Sequence, residues 1–152
     1  DWMIVTANSF ASAAGAKILE EGGTAADAMI AAQTVLGLVE PESSGLGGGS
    51  FLIWYDNKTN KVTTLDGRET APRASYTTQF QNESGETKKF FDAVIGGLSV
   101  GSPGTPALMF KAHEKWGKIK WSNLFTTAIK LGDNGSAMFK KLASILHRVL
   151  DK

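Results

Sequence analysis

The feature that most constrains the fold is an apolar segment, AADAMIAAQTVLGLV, at residues 25–39. Thr24 can accept a free backbone N–H, and Asp27 adds negative charge in the first turn, so these residues predict a helix N-terminus. The segment is rich in alanine and apolar almost all round, which is typical of a helix covered on several sides. It is shorter than the roughly 20 residues that a membrane span needs. We therefore expect a buried helix at the centre of the fold.

The residues before this helix predict a strand and a second helix. MIVTA (residues 3–7) is typical of a short strand, and the first ten residues do not resemble a signal peptide. SFASAAGAKILEE, from residue 9, predicts a helix capped by Ser9 or Ser12 and ended by Gly22 and Gly23.

The residues after the central helix predict a hairpin and an irregular excursion. SFLIWYD (50–56) and KVTTLD (61–66) are β-prone runs separated by NKTN, so we expect a β-hairpin on which the helices pack. Residues 73–92 are polar, and we expect Phe80, Phe90 and Phe91 to pin them to the surface. AVIGGLSVG (93–101) is interpreted as a return to a strand.

Three further helices are predicted towards the C-terminus. Thr105 followed by Pro106 favours a helix start, which predicts helices over 106–116 and 122–131. The last segment has helical apolar spacing on one face, an ordinary amphipathic pattern, with a membrane-surface role as the weaker alternative. That face consists of Phe139, Leu142, Leu146 and Val149.

Composition indicates one globular domain and excludes several classes of function. The 152 residues carry a net charge of +1, so the chain as a whole has no field that would attract nucleic acid. It contains no cysteine, which removes disulfides and thiolate catalysis. His113 and His147 lie far apart without carboxylates at helical spacing, so we predict no metal site. We also predict no cofactor.

The glycine-rich stretch GLGGGS (45–50) raises the question of phosphate binding. Ser50 stands where a dinucleotide fingerprint needs its third glycine, and no Gly-Lys-Ser/Thr closes a Walker A loop. A helix precedes it and a strand follows, the reverse of both motifs. We expect these glycines to give positive φ angles and close backbone approach between helix and strand.

Two other motifs suggest chemistry. GLSVG (97–101) matches the G-x-S-x-G elbow around Ser99, with Asp133 and His147 following in order, but a loop with two prolines comes after it where the elbow needs a helix. We interpret it as a chance match. Arg68, just beyond the hairpin, could hold a substrate carboxylate with a bidentate fork, although Asp66 and Glu69 favour a plain surface ion pair.

Three signatures occur in order: SSGLGGG (43–49), RETAP (68–72) and GGLSVGSPG (96–104). With their surroundings, across most of residues 3–131, they resemble the N-terminal region of the large subunit of γ-glutamyltranspeptidases. The resemblance implies an α+β chain, part of the αββα sandwich of N-terminal nucleophile hydrolases. It also implies that Arg68 holds the α-carboxylate of the γ-glutamyl group, and that Ser99 and the glycines are structural.

In this family a precursor cleaves itself, and the new N-terminal threonine of the small subunit attacks the γ-glutamyl amide. The resemblance therefore implies a small-subunit partner, a glutathione-like or other γ-glutamyl substrate, and a periplasmic or secreted location. We assign residues 1–152 to the N-terminal part of the large subunit, find no catalytic residue among them, and predict that this chain alone is inactive.

Two departures and two alternatives remain. Asn8-Ser9 stands where the family's usual pattern has His-Pro, and SAMFKKLAS (136–144) departs from it within residues 131–152, where intervening residues could be absent. Cephalosporin acylases and poly-γ-glutamate transpeptidases share the quoted motifs. A truncated, non-catalytic relative that serves as a binding or structural module is the other alternative.

Overall fold

A computed structural model describes residues 1–150, apart from the side chain of Val149. These described residues form helices and one two-stranded sheet, which confirms the α+β class. The elements are α1 (Ser9–Glu20), α2 (Ala25–Val39), β1 (Ser50–Asp56), β2 (Lys61–Gly67), α3 (Phe90–Val94), α4 (Thr105–Trp116), α5 (Thr126–Asn134) and α6 (Lys140–Leu150), with 3₁₀ turns at Gly97–Ser99 and Trp121–Phe125.

Helix α1 is capped by Asn8 and not, as predicted, by Ser9 or Ser12. The Asn8 side chain accepts a hydrogen bond from Phe10 N at 3.0 Å, and its amide donates to Glu40 Oε1 at 2.9 Å. The Ser12 hydroxyl instead bonds Thr6 Oγ1 at 2.9 Å. Asn8 therefore joins the start of α1 to the end of α2. Gly22, with φ 82°, ends the turn after α1 as predicted.

Helix α2 is the buried centre that its sequence predicts. Thr24 and Asp27 form a capping box, in which each side chain bonds the other residue's backbone N–H. The face of α2 towards α1 packs small residues against Ala11 and Ala14, while Ile30 contacts Met109 and Leu124 in a second cluster. Among the described helices, none is both long and apolar enough to cross a membrane.

The predicted hairpin is confirmed. Strands β1 and β2 pair antiparallel, with Ser50 opposite Gly67 and Asp56 opposite Lys61. Helix α4 packs on the sheet, and Trp54 of β1 stacks on Trp116 of α4. The other face of β1 is exposed and apolar; it consists of Phe51, Ile53 and Tyr55.

Two predicted strands are wrong. Residues 3–7 form no strand. In the described part of the chain β1 and β2 pair only with each other, so residues 3–7 have no partner strand, and Ile4 packs on the core instead. Residues 93–101 form the end of α3 and a 3₁₀ turn, because almost all of them are exposed and have no partner strand to join.

The aromatic residues predicted to pin the 73–92 excursion do not do so. Phe80, Phe90 and Phe91 are 36%, 72% and 69% exposed, although the segment is irregular as expected. Phe90 and Phe91 contact each other edge to face instead.

The C-terminal helices are present with shifted starts. Helix α4 begins at Thr105 itself, so Gly104 is its N-cap and Pro106 lies in the first turn. The helix predicted over 122–131 is the 3₁₀ turn from Trp121 followed by α5. In the last segment Phe139 precedes α6 and packs edge to face on Phe10 at 5.7 Å; the side chain of Val149 lies outside the described part.

Candidate substrate-binding site

Arg68 follows directly on β2 and is exposed. Its backbone N–H donates to Asp66 Oδ1 at 2.9 Å, so Asp66 holds the main chain of Arg68 rather than its guanidinium. Within residues 1–150 the guanidinium makes no ion pair. The interpretation of Arg68 as an arginine paired with Asp66 or Glu69 is therefore wrong.

Arg68 lines a cleft of about 440 Å³ between the end of β2, the loop at Ser102–Gly104 and the start of α4. Lys111 of α4 lines the same cleft, but its Nζ lies 3.0 Å from Glu114 Oε2. Arg68 is thus the cation of this cleft that has no carboxylate partner among residues 1–150. Planar guanidinium groups bind carboxylates bidentately.

Glu69, the next residue along the chain, does not line the Arg68 cleft. It lines a second, more polar cleft of about 420 Å³, together with the glycine-rich loop and Ser50. Successive side chains of an extended segment point to opposite sides. Arg68 and Glu69 consequently line two separate clefts.

The glycine-rich loop lies between α2 and β1, in the element order that its sequence predicts. The prediction of positive φ angles is wrong, because no glycine among the described residues 45–49 has a positive φ angle. Close approach is confirmed, but against the segment after β2: a methyl group on Gly49 would lie 2.8 Å from Arg68 Cα. The Gly48 carbonyl also accepts from Gly104 N and Thr105 N, both at 3.1 Å.

Ser99 does not sit on a nucleophile elbow. It ends a 3₁₀ turn preceded by α3, and its hydroxyl donates to the Val94 carbonyl at 3.0 Å. The elbow requires a strand before the serine and a helix after it. Among the described residues no hydrogen bond joins Ser99 to Asp133 or His147.

The two histidines have different surroundings. His113 is partly buried, with Nε2 2.8 Å from the Ile119 carbonyl and 3.8 Å from Asp27 Oδ1, whereas His147 is exposed on α6. The described part of the chain contains no group of three histidine or carboxylate side chains that could hold a metal ion.

Sequence reasoning missed two residues that join distant segments of the chain, Gly104 at the site and Asp27 away from it. Gly104 had no assigned role, although it stands directly before the predicted helix start at Thr105. Asp27 was assigned a role in the first turn of α2 alone, yet its carboxylate also accepts from Lys118 N and Ile119 N, at 2.9 and 3.2 Å. The hydrogen bond between Gly48 and Gly104 and those of Asp27 all join residues that are distant in the sequence.

These features define a class: an α+β chain that presents an unpaired arginine beside a glycine-rich turn at the end of a hairpin. Comparison with known proteins identifies the family. A sequence model of the family described as "Gamma-glutamyltranspeptidase" matches residues 11–152, so the chain belongs to the γ-glutamyltranspeptidase family.

Individual relatives agree with this family. The chain is 39% identical over 152 residues to the glutathione hydrolase proenzyme of Bacillus subtilis strain 168, covering 100% of this chain and 26% of that protein. The structure of γ-glutamyltranspeptidase from Pseudomonas nitroreducens complexed with L-DON matches with a TM-score of 0.92 and 31% identity, over 99% of this chain and 44% of that one. The transpeptidase enzyme CapD of Bacillus anthracis matches with a TM-score of 0.78 and 26% identity, over 100% and 45%.

The chain thus spans about a quarter of the length of the curated relative and less than half of each solved chain. The expected fold is confirmed: the chain supplies part of the fold of these enzymes.

Proposed function

We propose that this chain is part of an enzyme that transfers γ-glutamyl groups from glutathione-like substrates to water, amino acids or peptides. The observation that carries the proposal is Arg68, an exposed residue that lines a cleft and whose guanidinium has no carboxylate partner within residues 1–150. A site with one free guanidinium suits a ligand with one carboxylate. Family membership makes the α-carboxylate of a γ-glutamyl group the natural ligand.

In the proposed reaction Arg68 positions the substrate and does not react. The nucleophile is the N-terminal threonine of a small subunit, whose own amine takes the proton as the hydroxyl attacks the γ-amide. The threonine ammonium returns this proton to the nitrogen of the γ-amide, the substrate's amine leaves, and water or a second amine then accepts the γ-glutamyl group from the threonine ester. The B. subtilis relative is named as a proenzyme, which supports a precursor that must be cleaved first.

The exposed face of β1 supports a partner that covers it. Phe51, Ile53 and Tyr55 are 65%, 76% and 55% exposed, and proteins seldom leave contiguous apolar surface open to water. In a sandwich of two sheets, inner faces of this kind pack about 10 Å apart. We propose that residues 1–152 form the N-terminal part of a large subunit and that the remainder of the enzyme packs on this face.

We also propose a periplasmic or secreted location, as the family resemblance implies.

The direct test compares the complete protein with this chain alone. The complete protein should divide into two polypeptides, the smaller starting with threonine, and should release the amine from a γ-glutamyl anilide; this chain alone should not. Intact mass and N-terminal sequencing follow the cleavage, and absorbance follows the amine. An uncleaved, inactive complete protein would instead support the non-catalytic module.

The likeness to a transpeptidase over the whole chain favours a second candidate within the same chemistry, transfer to a peptide acceptor rather than to water. Adding a dipeptide acceptor to the same assay separates the two. A transpeptidase forms the γ-glutamyl tripeptide as the main product, whereas a hydrolase continues to form free glutamate.

A further inference from the structure

We infer that Gly49 and Gly104 are positioning residues for Arg68: they contact its main chain from two sides and so fix where its guanidinium stands. The inference rests on the proposed function, because it concerns the affinity of Arg68 for the substrate carboxylate. It also gives Gly49 a role in substrate recognition that does not involve phosphate.

Gly49 supplies the first contact. A methyl group at this position would lie 2.8 Å from Arg68 Cα and 2.5 Å from Glu69 N, and it would also meet the Glu69 carboxylate. Optimal contacts between carbon atoms are about 3.5–4.0 Å. The carboxylate could rotate away, but Arg68 Cα and Glu69 N belong to the main chain. Any side chain at residue 49 therefore has to push the main chain of Arg68 aside.

Gly104 supplies the second contact. A methyl group there would lie 2.6 Å from Gly67 C and 2.8 Å from Arg68 O, and it would overlap the Gly67 carbonyl oxygen. All of these atoms are main-chain atoms immediately before or within Arg68. The main chain at residues 67–69 is therefore enclosed by the glycine-rich loop and by the residue that caps α4.

Hydrogen bonds join three segments: the glycine-rich loop, residues 67–70 after β2, and residues 102–105 at the start of α4. The Gly48 carbonyl accepts from Gly104 N and Thr105 N, and Thr70 and Ser102 exchange two backbone hydrogen bonds of 3.3 and 2.8 Å. Each segment is thus bonded to at least one other as well as in contact with it. A displacement at Gly49 or Gly104 is transmitted to Arg68 rather than absorbed by a free loop.

The expected consequence is loss of substrate recognition. Displacement of a binding group by about 1 Å can lower the rate by about 100-fold. We expect Gly49→Ala and Gly104→Ala in the complete protein each to lower kcat/KM for a γ-glutamyl anilide by about that factor, mainly through a higher KM. Gly101→Ala is a milder variant that presses on the same segment just after Arg68, because its methyl group would lie 2.9 Å from Glu69 Cβ and 3.2 Å from the Thr70 carbonyl oxygen.

The chain offers two matched controls. Among residues 1–150, a methyl group on Gly47 in the same loop, or on Gly97 in the 3₁₀ turn, would meet nothing within 4 Å, and neither glycine has a positive φ angle. Gly47→Ala and Gly97→Ala should therefore keep the wild-type kcat/KM.

The decisive experiment repeats each glycine substitution in an Arg68→Ala background. If Gly49 and Gly104 act through Arg68, their substitution there should change kcat/KM by less than about threefold, because residues that share one role are not additive. A matched 4-aminobutanoyl anilide, which lacks the α-carboxylate, should likewise respond little. Thermal unfolding of every variant identifies any that fail to fold, and in that case Gly101→Ala takes their place in the same cycle.

Each outcome decides the matter. Equal losses in both backgrounds, or equal losses for both anilides, would show a general structural role and overturn the inference. Wild-type kcat/KM in folded Gly49→Ala and Gly104→Ala would also overturn it. If Arg68→Ala alone keeps wild-type kcat/KM, the carboxylate-binding role of Arg68 fails and the inference fails with it, whereas the proposed function fails separately if the complete protein does not turn over the γ-glutamyl anilide.

Discussion

Trp54 of β1 stacks on Trp116 at the end of α4, with ring centroids 4.6 Å apart and an angle of 9° between the planes. This contact fastens α4 to the hairpin at the end of the helix opposite to Gly104 and the Arg68 cleft. The stack and the main-chain contacts at Gly104 therefore hold the two ends of α4 against the sheet.

Removing the stack should destabilise the protein without direct damage to the site. An aromatic pair contributes about 0.5–1.5 kcal/mol beyond the area it buries. A double-mutant cycle of Trp54→Ala and Trp116→Ala in the complete protein, read from denaturant unfolding, should give a coupling free energy in that range. Trp54→Phe keeps a ring and should lose less. A coupling free energy near zero would show that the two rings contribute independently.

Asp27 should be a strong determinant of stability. Its carboxylate is fully buried and accepts from the backbone N–H groups of Thr24, Lys118 and Ile119. Since each unsatisfied buried group costs about 1–3 kcal/mol, Asp27→Ala should lower the free energy of unfolding by about 3 kcal/mol or more. Asp27→Asn keeps one oxygen acceptor and should lose less.

Hydrogen exchange locates this effect. In Asp27→Ala the amides of Lys118 and Ile119 should exchange faster than in the wild type, and they should not do so in the control Asp133→Ala, whose side chain is exposed on α5. Unchanged protection of both amides would mean that other contacts hold the segment after α4 in place.

Asp56 gives the hairpin turn a dependence on pH. Lys58 N and Thr59 Oγ1 both donate to its carboxylate at 2.9 Å, and these bonds lower the pKa of Asp56 below its usual value. Because the pKa is lower in the folded state, the stabilisation is complete above the unfolded pKa and is lost as the pH falls through the folded pKa.

NMR titration of the Asp56 carboxylate should give a pKa below the usual aspartate value. Thr59→Val should raise this pKa by removing the hydroxyl donor, while Thr59→Ser should keep it low. The account of the turn would be wrong if Thr59→Val left the pKa of Asp56 unchanged.

Ser99 should be unreactive towards a fluorophosphonate probe. Its hydroxyl donates to the Val94 carbonyl, and the strand and helix of a nucleophile elbow are replaced here by α3 and a 3₁₀ turn. Mass spectrometry of the treated complete protein measures labelling, with Ser99→Ala as the control. Stoichiometric labelling at Ser99 that an ester substrate blocks would restore the serine-hydrolase interpretation.

The helices and strands that were predicted correctly from the sequence are those whose formation depends on residues close together in the chain. Thr24 and Asp27 are three residues apart, and their capping box depends only on the first turn of α2. The hairpin follows in the same way from two β-prone runs and a four-residue turn. Residues 3–7 are equally β-prone, but a strand also needs a partner, which propensity does not reveal.

The site was less accessible to sequence reasoning for the same reason. Arg68 was assigned from its resemblance to a family motif, whereas its own neighbours Asp66 and Glu69 favoured a surface ion pair. The contacts of Arg68 with Gly49 and Gly104 join three distant parts of the chain. The glycines of the loop predicted close approach of another backbone segment, but only the tertiary structure shows that this segment is the main chain of Arg68 and Glu69.

The central claim is that Arg68 holds a substrate carboxylate, and steady-state kinetics of Arg68→Ala and Arg68→Lys in the complete protein test it most directly. Removing one partner of a hydrogen-bonded charge pair costs about 2–5 kcal/mol, so Arg68→Ala should lower kcat/KM for a γ-glutamyl anilide accordingly. Arg68→Lys should recover only part of the loss, because an ammonium group keeps the charge but not the planar fork. Wild-type kcat/KM in Arg68→Ala would contradict the account and reduce Arg68 to an exposed surface residue.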